Sequence, residues 1–167
     1  MENKKNEQLF AEVITLHKDK IYRICYAYLY DKNLVDDLYQ EVLINVWNGL
    51  KRFKGNAQLS TWLYRVTLNT TITFNKKNKA HKQLFKNNIP ENITENIDIT
   101  DTEQECRVNR LIQCVQQLKE EERIIISLVL EEISYKEIAN ILGIEVNNVG
   151  VRINRIKKKL LKIYNNE

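Results

Sequence analysis

LVDDLYQEVLINVWNGLKRFKGNAQLSTWLYRVTLN, residues 34–69, is the stretch whose periodicity decides the fold. Its apolar positions Val35, Leu38, Tyr39, Val42, Leu43, Val46, Trp47 and Leu50 recur at alternating steps of three and one, the spacing of one stripe along an α-helix. Asp36 and Asp37 fall in the first turn, where the positive end of a helix favours acids. Asp37, Gln40, Glu41 and Ile44 stand at i, i+3, i+4 and i+7 and so form a second strip on another face. Acids with an apolar residue among them suit either solvated surface or a docked partner. Gly49 and Gly55 bracket the exit, and Ser60 is placed to cap a following helix over about 61–77. That helix carries Trp62, Leu63, Tyr64, Val66, Asn69, Ile72, Thr73 and Phe74 and runs into Lys76 and Lys77. Aromatic faces stack on unpaired bases while nearby cations hold phosphates; the same rings serve equally well as core.

Upstream, Val13, Ile14, Leu16, Ile21, Ile24, Tyr28 and Leu29 predict one long helix or two, packed on the stripe. Downstream, residues 86–105 read KNNIPENITENIDITDTEQE, with the only proline of the chain. From 91 to 105 there are six acids and no Lys or Arg, a composition that buries too little surface to order itself well. The chain therefore divides into a first block over 7–82, a flexible acidic linker over 83–105 and a second block over 106–164. With 167 residues, only 4 Gly and 1 Pro, the expected class is all-α, as two small helical domains.

In the second block Leu111, Ile112, Val115 and Leu118 lie at helical spacing. A charged break over 119–122 precedes another apolar helix through Ile124, Ile125, Leu128 and Val129. Residues 134–160 read SYKEIANILGIEVNNVGVRINRIKKKL. Ser134 and Glu137 make a capping box, Ile138, Ala139, Ile141 and Leu142 a short helix, and Gly143 can take the left-handed turn that ends it. Val149, Ile153 and Ile156 then repeat as an inward face, leaving Asn147, Asn148, Arg152 and Arg155 outward. Short helix, turn and basic second helix are the parts of a helix-turn-helix, whose outward residues suit major-groove edges and phosphates. An αα-hairpin without a DNA role has the same pattern.

Charge is segregated along the chain. Net charge is +4, and the basic runs lie before the linker (Lys76, Lys77, Lys79, Lys82, Lys86) and at the C-terminus, on either side of the acidic stretch. Two basic segments joined by an acidic one suit a polyanion gripped in two places. The N-terminus MENKKNEQLF lacks the apolar core of a signal peptide, and no run is long enough to span a bilayer, so the expected location is the cytoplasm, with no direct membrane insertion. Three widely spaced cysteines, Cys25, Cys106 and Cys114, argue against a disulfide framework and read as buried or half-buried free thiols. No constellation suggests a metal, a cofactor or a catalytic site, and His17 and His81 read as isolated surface residues.

The compound pattern D-D-L-x-Q-E, then W, F-x-G and W-L-Y-R-x-x-x-N over 34–69 resembles region 2 of the sigma-70 family in its short extracytoplasmic-function form. Residues 110–163 resemble region 4 of the same family. The resemblance implies a transcription initiation factor, not an enzyme, that joins core RNA polymerase and opens promoter DNA. It implies that Asp37, Gln40, Glu41 and Ile44 dock on the polymerase. It assigns Phe53, Lys54, Asn56, Ala57, Gln58, Tyr64, Val66, Asn69, Lys76 and Lys77 to the −10 element, and Ser134, Tyr135, Asn147, Asn148, Arg152, Arg155 and Lys158 to the −35 element. An anti-sigma factor, in many members anchored in a membrane, is the further partner it implies. This sequence departs from the family pattern at Glu145, where a Ser or Thr cap is ordinary, and at Gly150, where a basic side chain is ordinary. The competing reading is a stand-alone helix-turn-helix regulator, which would leave the acidic strip of the first block unexplained.

Overall fold

Helical periodicity over 34–50 becomes a buried seam at the centre of three helices. A computed structural model describes residues 2–85 and 103–165. The first group comprises α1 (Glu2–Tyr28), a 3-10 turn (Lys32–Leu34), α2 (Val35–Leu50) and α3 (Leu59–Phe85); the second comprises α4 (Glu103–Gln116), α5 (Glu120–Leu130), α6 (Tyr135–Leu142) and α7 (Val146–Asn165). The described residues contain helices and turns and no strand.

On α2, Val35, Leu38, Val42, Val46 and Leu50 are buried, while Tyr39, Leu43 and Trp47 flank them half-buried. Ile21, Ile24, Cys25 and Tyr28 of α1 and Leu63 and Leu68 of α3 complete this core. Each fully buried Leu or Ile contributes roughly 1.5–3 kcal/mol by leaving water. Phe10 meets the edge of Trp47 at 5.4 Å. Leu16, expected in this core, is 77% exposed. At roughly 100° per residue, it falls well to one side of the Val13, Ile21, Ile24, Tyr28 stripe.

The chain leaves α1 under control of Lys32, whose ammonium donates to the carbonyls of Tyr26 and Leu29 and lies 4.0 Å from the centre of the Tyr26 ring. A cation there satisfies carbonyls that the helix end leaves open. Burial, with the nearby Arg123 charge, pushes the Lys32 ammonium down to about 8. At the far end of α2, a Cβ built on Gly49 would lie 2.6 Å from the Trp62 ring. Gly49 is thus a place of close helix approach, inside α2, rather than the helix stop the sequence suggested. Gly55, at φ 71°, makes the turn instead.

α3 begins one residue before Ser60, which is therefore not its cap; the Trp62 N–H donates to the Gln58 carbonyl. The helix also continues past the expected end at 77 to Phe85, because Lys, Ala and Gln propagate a helix well and no Gly or Pro interrupts them. The supposed charged break at 119–122 is the start of α5. The Lys119 backbone N–H donates to the Glu122 carboxylate at 2.9 Å, and Glu120, Glu121 and Glu122 occupy the dipole's positive end. Of the expected acidic linker, residues 86–102 lie outside the described residues, while its flanks 83–85 and 103–105 belong to α3 and α4.

The two groups of helices are in contact. α1 packs on α4 and α5, α3 packs on α6, and the apolar core is continuous between them. The polar contacts across this junction run mostly one way, from donors on α1 and α3 to acceptors on α5 and α6. Arg23 makes a two-pronged bond to the Glu131 carboxylate, both arms at 2.7 Å, with Glu131 only 8% exposed. Lys20 donates to the Glu131 carbonyl at 3.0 Å. Lys79 and Asn75 converge on the Glu120 carboxylate, and that bond with Lys79 holds Glu120 below the ordinary carboxylate range. Ser60 donates to Glu137 at 2.9 Å, and Arg65 to the Asn140 carbonyl. In the reverse sense, the fully buried Arg123 of α5 reaches the Tyr30 hydroxyl and lies over the Tyr28 and Tyr30 rings.

Cys25 and Cys114 are buried free thiols, and burial pushes Cys25 up to about 12. Cys106 is exposed, contrary to the expectation of a half-buried thiol. His17 is not an isolated surface residue either. It is half-buried, its Nδ1 lies 3.1 Å from the Tyr64 hydroxyl, and burial together with the Lys20 charge lowers its pKa from the ordinary 6.5.

Candidate polymerase and promoter interfaces

On α2, Asp37 and Gln40 are exposed, Ile44 is 58% exposed, and Glu41 is half-buried 3.7 Å from the Lys77 ammonium. Their shared face follows from the helix period; their freedom follows because α1 and α3 are both satisfied by the opposite stripe. An apolar side chain more than half exposed inside a polar strip offers a partner both area and charge.

The link from α2 to α3 carries the next group. Phe53 tilts against Trp62, ring centres 5.2 Å apart, and so ties the loop to the first turn of α3. Lys54, Asn56 and Gln58 are exposed and Ala57 is half-buried beyond it. Asn69, Lys76 and Lys77 lie exposed along α3, and Val66 is half-buried. Tyr64 departs from this group. It is 3% exposed, its edge meets His17, and burial pushes its hydroxyl up to about 12. From that position its ring is not offered to a base.

The helix-turn-helix has its expected local geometry. Ser134 accepts the Glu137 N–H at 3.2 Å, and Gly143 takes φ 68°, which lets the Ile144 N–H return to the Ala139 carbonyl at 3.1 Å. Only half of the capping box forms, because the Glu137 side chain turns to Ser60. Val149, Ile153 and Ile156 face inward on α7, leaving Asn147, Asn148, Arg152, Arg155 and Lys158 exposed on one basic surface. Ser134 and Tyr135 are exposed at the start of α6. Glu145 precedes α7 at the cap position, and Gly150 has open space around it, where a larger side chain would fit.

Residues 13–81 match the family model "Sigma-70 region 2", and residues 109–160 match "Sigma-70, region 4". The chain belongs to the sigma-70 family, in its extracytoplasmic-function form. Its curated relatives include the ECF RNA polymerase sigma factor SigW of Bacillus subtilis, 29% identical over 95% of this chain and 90% of that one. Another is the ECF RNA polymerase sigma-E factor of Haemophilus influenzae, 25% identical over 93% and 87% of the two chains. Among solved structures, a sigma factor RpoE bound to the anti-sigma factor NepR from Bartonella quintana superposes with a TM-score of 0.74. It is 17% identical and covers 92% of this chain and 95% of its own. CnrH, solved in complex with the cytosolic domain of CnrY, gives 0.69 at 20% identity, over 96% and 90%. Sigma factors are in general non-enzymatic initiation factors. Among the described residues no helix is long and apolar enough to cross a membrane.

Arg65 and Asn75 stand out on the structure but not in the sequence, and Lys79, read there only as part of a basic run, is joined to Glu120. The three share the face of α3 that meets α5 and α6, and only the α3 period, extended past 77, could have placed them together.

Proposed function

We propose that this sigma factor docks on core RNA polymerase through Asp37, Gln40, Glu41 and Ile44, and that the polymerase it joins is thereby directed to specific promoters. In this reading the loop residues Phe53, Lys54, Asn56, Ala57 and Gln58 and the α3 residues Val66 and Asn69 take the unpaired −10 strand, with Lys76 and Lys77 on its phosphates. Unstacking a base costs a few kcal/mol, and a loop pinned by Phe53 on Trp62 is a firm enough wall to offset it. Asn147 and Asn148, at the first turn of α7, read base edges of the −35 duplex, while Arg152, Arg155 and Lys158 further along hold phosphates, with Ser134 and Tyr135 beside them. The protein does no chemistry of its own, works in the cytoplasm, and is held in check by an anti-sigma factor, such as the one that names the RpoE complex.

The observation that carries this reading is the coexistence, in one chain, of an exposed strip of Asp37, Gln40 and Ile44 on α2, edged by the Lys77-paired Glu41, and an exposed basic face on α7. A stand-alone helix-turn-helix regulator would use the second and leave the first idle. Run-off transcription with core polymerase and a library of genomic promoter fragments tests it. Discrete transcripts dependent on the chain are expected, and Glu41→Lys should compete poorly for core polymerase while keeping its helical circular dichroism. Permanganate reactivity of −10 thymines should fall for Asn69→Ala with duplex affinity intact, and the reverse should hold for Arg152→Ala. Loss of opening and binding in equal proportion for both variants would count against the division of roles.

A further inference from the structure

We infer that Val151 and Asn154, together with Asn147, form the stripe of α7 that faces the floor of the major groove, and that this stripe selects A·T pairs: Val151 lies on a thymine methyl and the two amides on adenine edges. The inference rests on the DNA-reading role proposed for α7 and deepens it, since it names the bases and two residues outside the set that the resemblance assigns.

The helix period sets the face. At roughly 100° per residue, Asn147, Val151, Asn154 and Lys158 fall within about 60° of one another. They lie opposite Val149, Ile153 and Ile156, which are buried. All four are exposed, and Val151 is 51% exposed although it stands in the middle of a polar surface. Arg155 stands about 70° to one side of this stripe and Gly150 about 70° to the other. Arg152 is further round, towards the buried face. A helix about 10–12 Å across fills a major groove about 12 Å wide. The stripe opposite its buried face therefore meets base edges, and its flanks meet the phosphate walls. Asn147 to Asn154 spans about 10 Å along the helix, close to three base pairs. Lys158 lies about 6 Å beyond Asn154, where a straight helix parts from a groove that curves away, and this keeps it with the phosphates.

The chemistry of the stripe decides which pairs it can hold. A side-chain amide pairs with adenine on both its atoms: the NH2 donates to N7, and the oxygen accepts from the N6 amino group. Guanine offers two acceptors there and calls for a cation with two donors, and the stripe carries none before Lys158. Val151 has no hydrogen-bonding atom in its side chain, and the apolar group that the groove floor offers it is the C5-methyl of thymine. An isopropyl group is short, so it reaches a base only where the helix backbone comes close. Gly150 supplies that approach. It has open space around it, and on the flank of the stripe a residue without a side chain lets the phosphate wall come up to the helix.

The test uses the full chain bound to core polymerase and a duplex promoter fragment taken from the run-off library. Within its −35 element each thymidine is replaced in turn by deoxyuridine, which lacks only the C5-methyl. Each purine is replaced by its 7-deaza form, which lacks the N7 acceptor. At one thymine the wild type should lose affinity about fourfold, the worth of one buried methyl group. At two adenines, one on each side of it within about two base pairs, each loss should be at least about fivefold. Val151→Ser should bind the thymine and uracil duplexes equally, and Val151→Thr, which restores a methyl, should regain part of the preference. Asn154→Ala should become indifferent to the deaza change at one of the two adenines and stay sensitive at the other. Gly150→Leu, for which the free chain has room, should shrink the uracil effect with its helical circular dichroism intact. Wild-type affinity indifferent to uracil at every position, a uracil effect that survives Val151→Ser, or losses confined to 7-deazaguanine would each overturn the assignment. If no fragment is transcribed with core polymerase, the sigma-factor reading falls instead. The same scan on a duplex selected from random sequence by the full chain alone then decides the readout, and failure to enrich any duplex overturns it as well.

Discussion

The interior of the α1–α3 bundle and the junction between its outer face and region 4 are both buried, but they are held by different physics. In the bundle, Ile21, Leu38, Val42 and Leu63 are buried against one another's helices, each at 0% exposure. At the junction, an apolar base is overlaid by Arg23–Glu131, Lys79–Glu120, Ser60–Glu137 and the enclosed Arg123. Apolar burial is not screened by salt and falls away only on unfolding. Charge-assisted contacts have partners waiting in water, in polymerase and in DNA, and can be exchanged for them. One surface therefore defines a domain, and the other defines a state of the molecule.

This contrast can be broken most forcefully from the apolar side. Leu63→Ala should cost about 2–5 kcal/mol of global stability in urea unfolding, with no dependence on salt, since it leaves a cavity in the bundle. A loss of under 1 kcal/mol would mean that the bundle is loosely packed and the contrast overstated. Next in size, Arg23→Ala leaves the nearly buried Glu131 carboxylate without its partner and should cost about 1–3 kcal/mol. Part of that cost should vanish in high salt, and amide exchange should quicken in α5 and α6 before it does in α2. Uniform exchange across α1 to α7 would show that the junction and the bundle open together.

A smaller effect belongs to Glu120. Its contact with Lys79 is partly exposed, and a double-mutant cycle of Glu120→Gln and Lys79→Met should give about 0.2–1 kcal/mol. Lys79 holds this carboxyl below the usual 4.5, so its contribution is complete above that value and lost as pH falls through the lowered one. The coupling in that cycle should then weaken in acid and not in mild alkali. The smallest signal is that of His17. Burial and Lys20 lower its pKa from 6.5, so it favours the neutral ring, and what it adds is present above 6.5 and fades below. Proton NMR should find it titrating below 6.5 in the wild type and nearer to 6.5 when Arg23→Glu opens the junction. An unchanged titration would place its burial wholly within region 2.

Much of the fold was legible because it is periodic. The α2 stripe, the free strip of Asp37, Gln40 and Ile44, the Gly143 turn and the inward Val149, Ile153 and Ile156 all follow from spacing within one helix. Helix limits were less legible: Ser60 has the chemistry of a cap, but the helix begins at Leu59, and lysines past 77 extend α3 where composition suggested a linker. The junction was not legible at all. Arg23 and Glu131 are 108 residues apart, and periodicity states which face of a helix is apolar without stating which charges will meet across two such faces. Tyr64 illustrates the cost. Its place between Trp62 and Val66 suggested a base-stacking ring, whereas it is buried with its edge against His17.

Gly49 carries a further consequence for how this sequence can drift. The Trp62 ring fills the space a side chain at 49 would need, and Phe53 leans on that same ring. A methyl at 49 would thus be felt by the loop proposed to take the −10 strand, although no atom of Gly49 belongs to that loop. Positions 49 and 62 are bound to change as a pair, and a genetic screen seeking suppressors of Gly49→Ala should recover smaller side chains at 62 before anything in the loop itself.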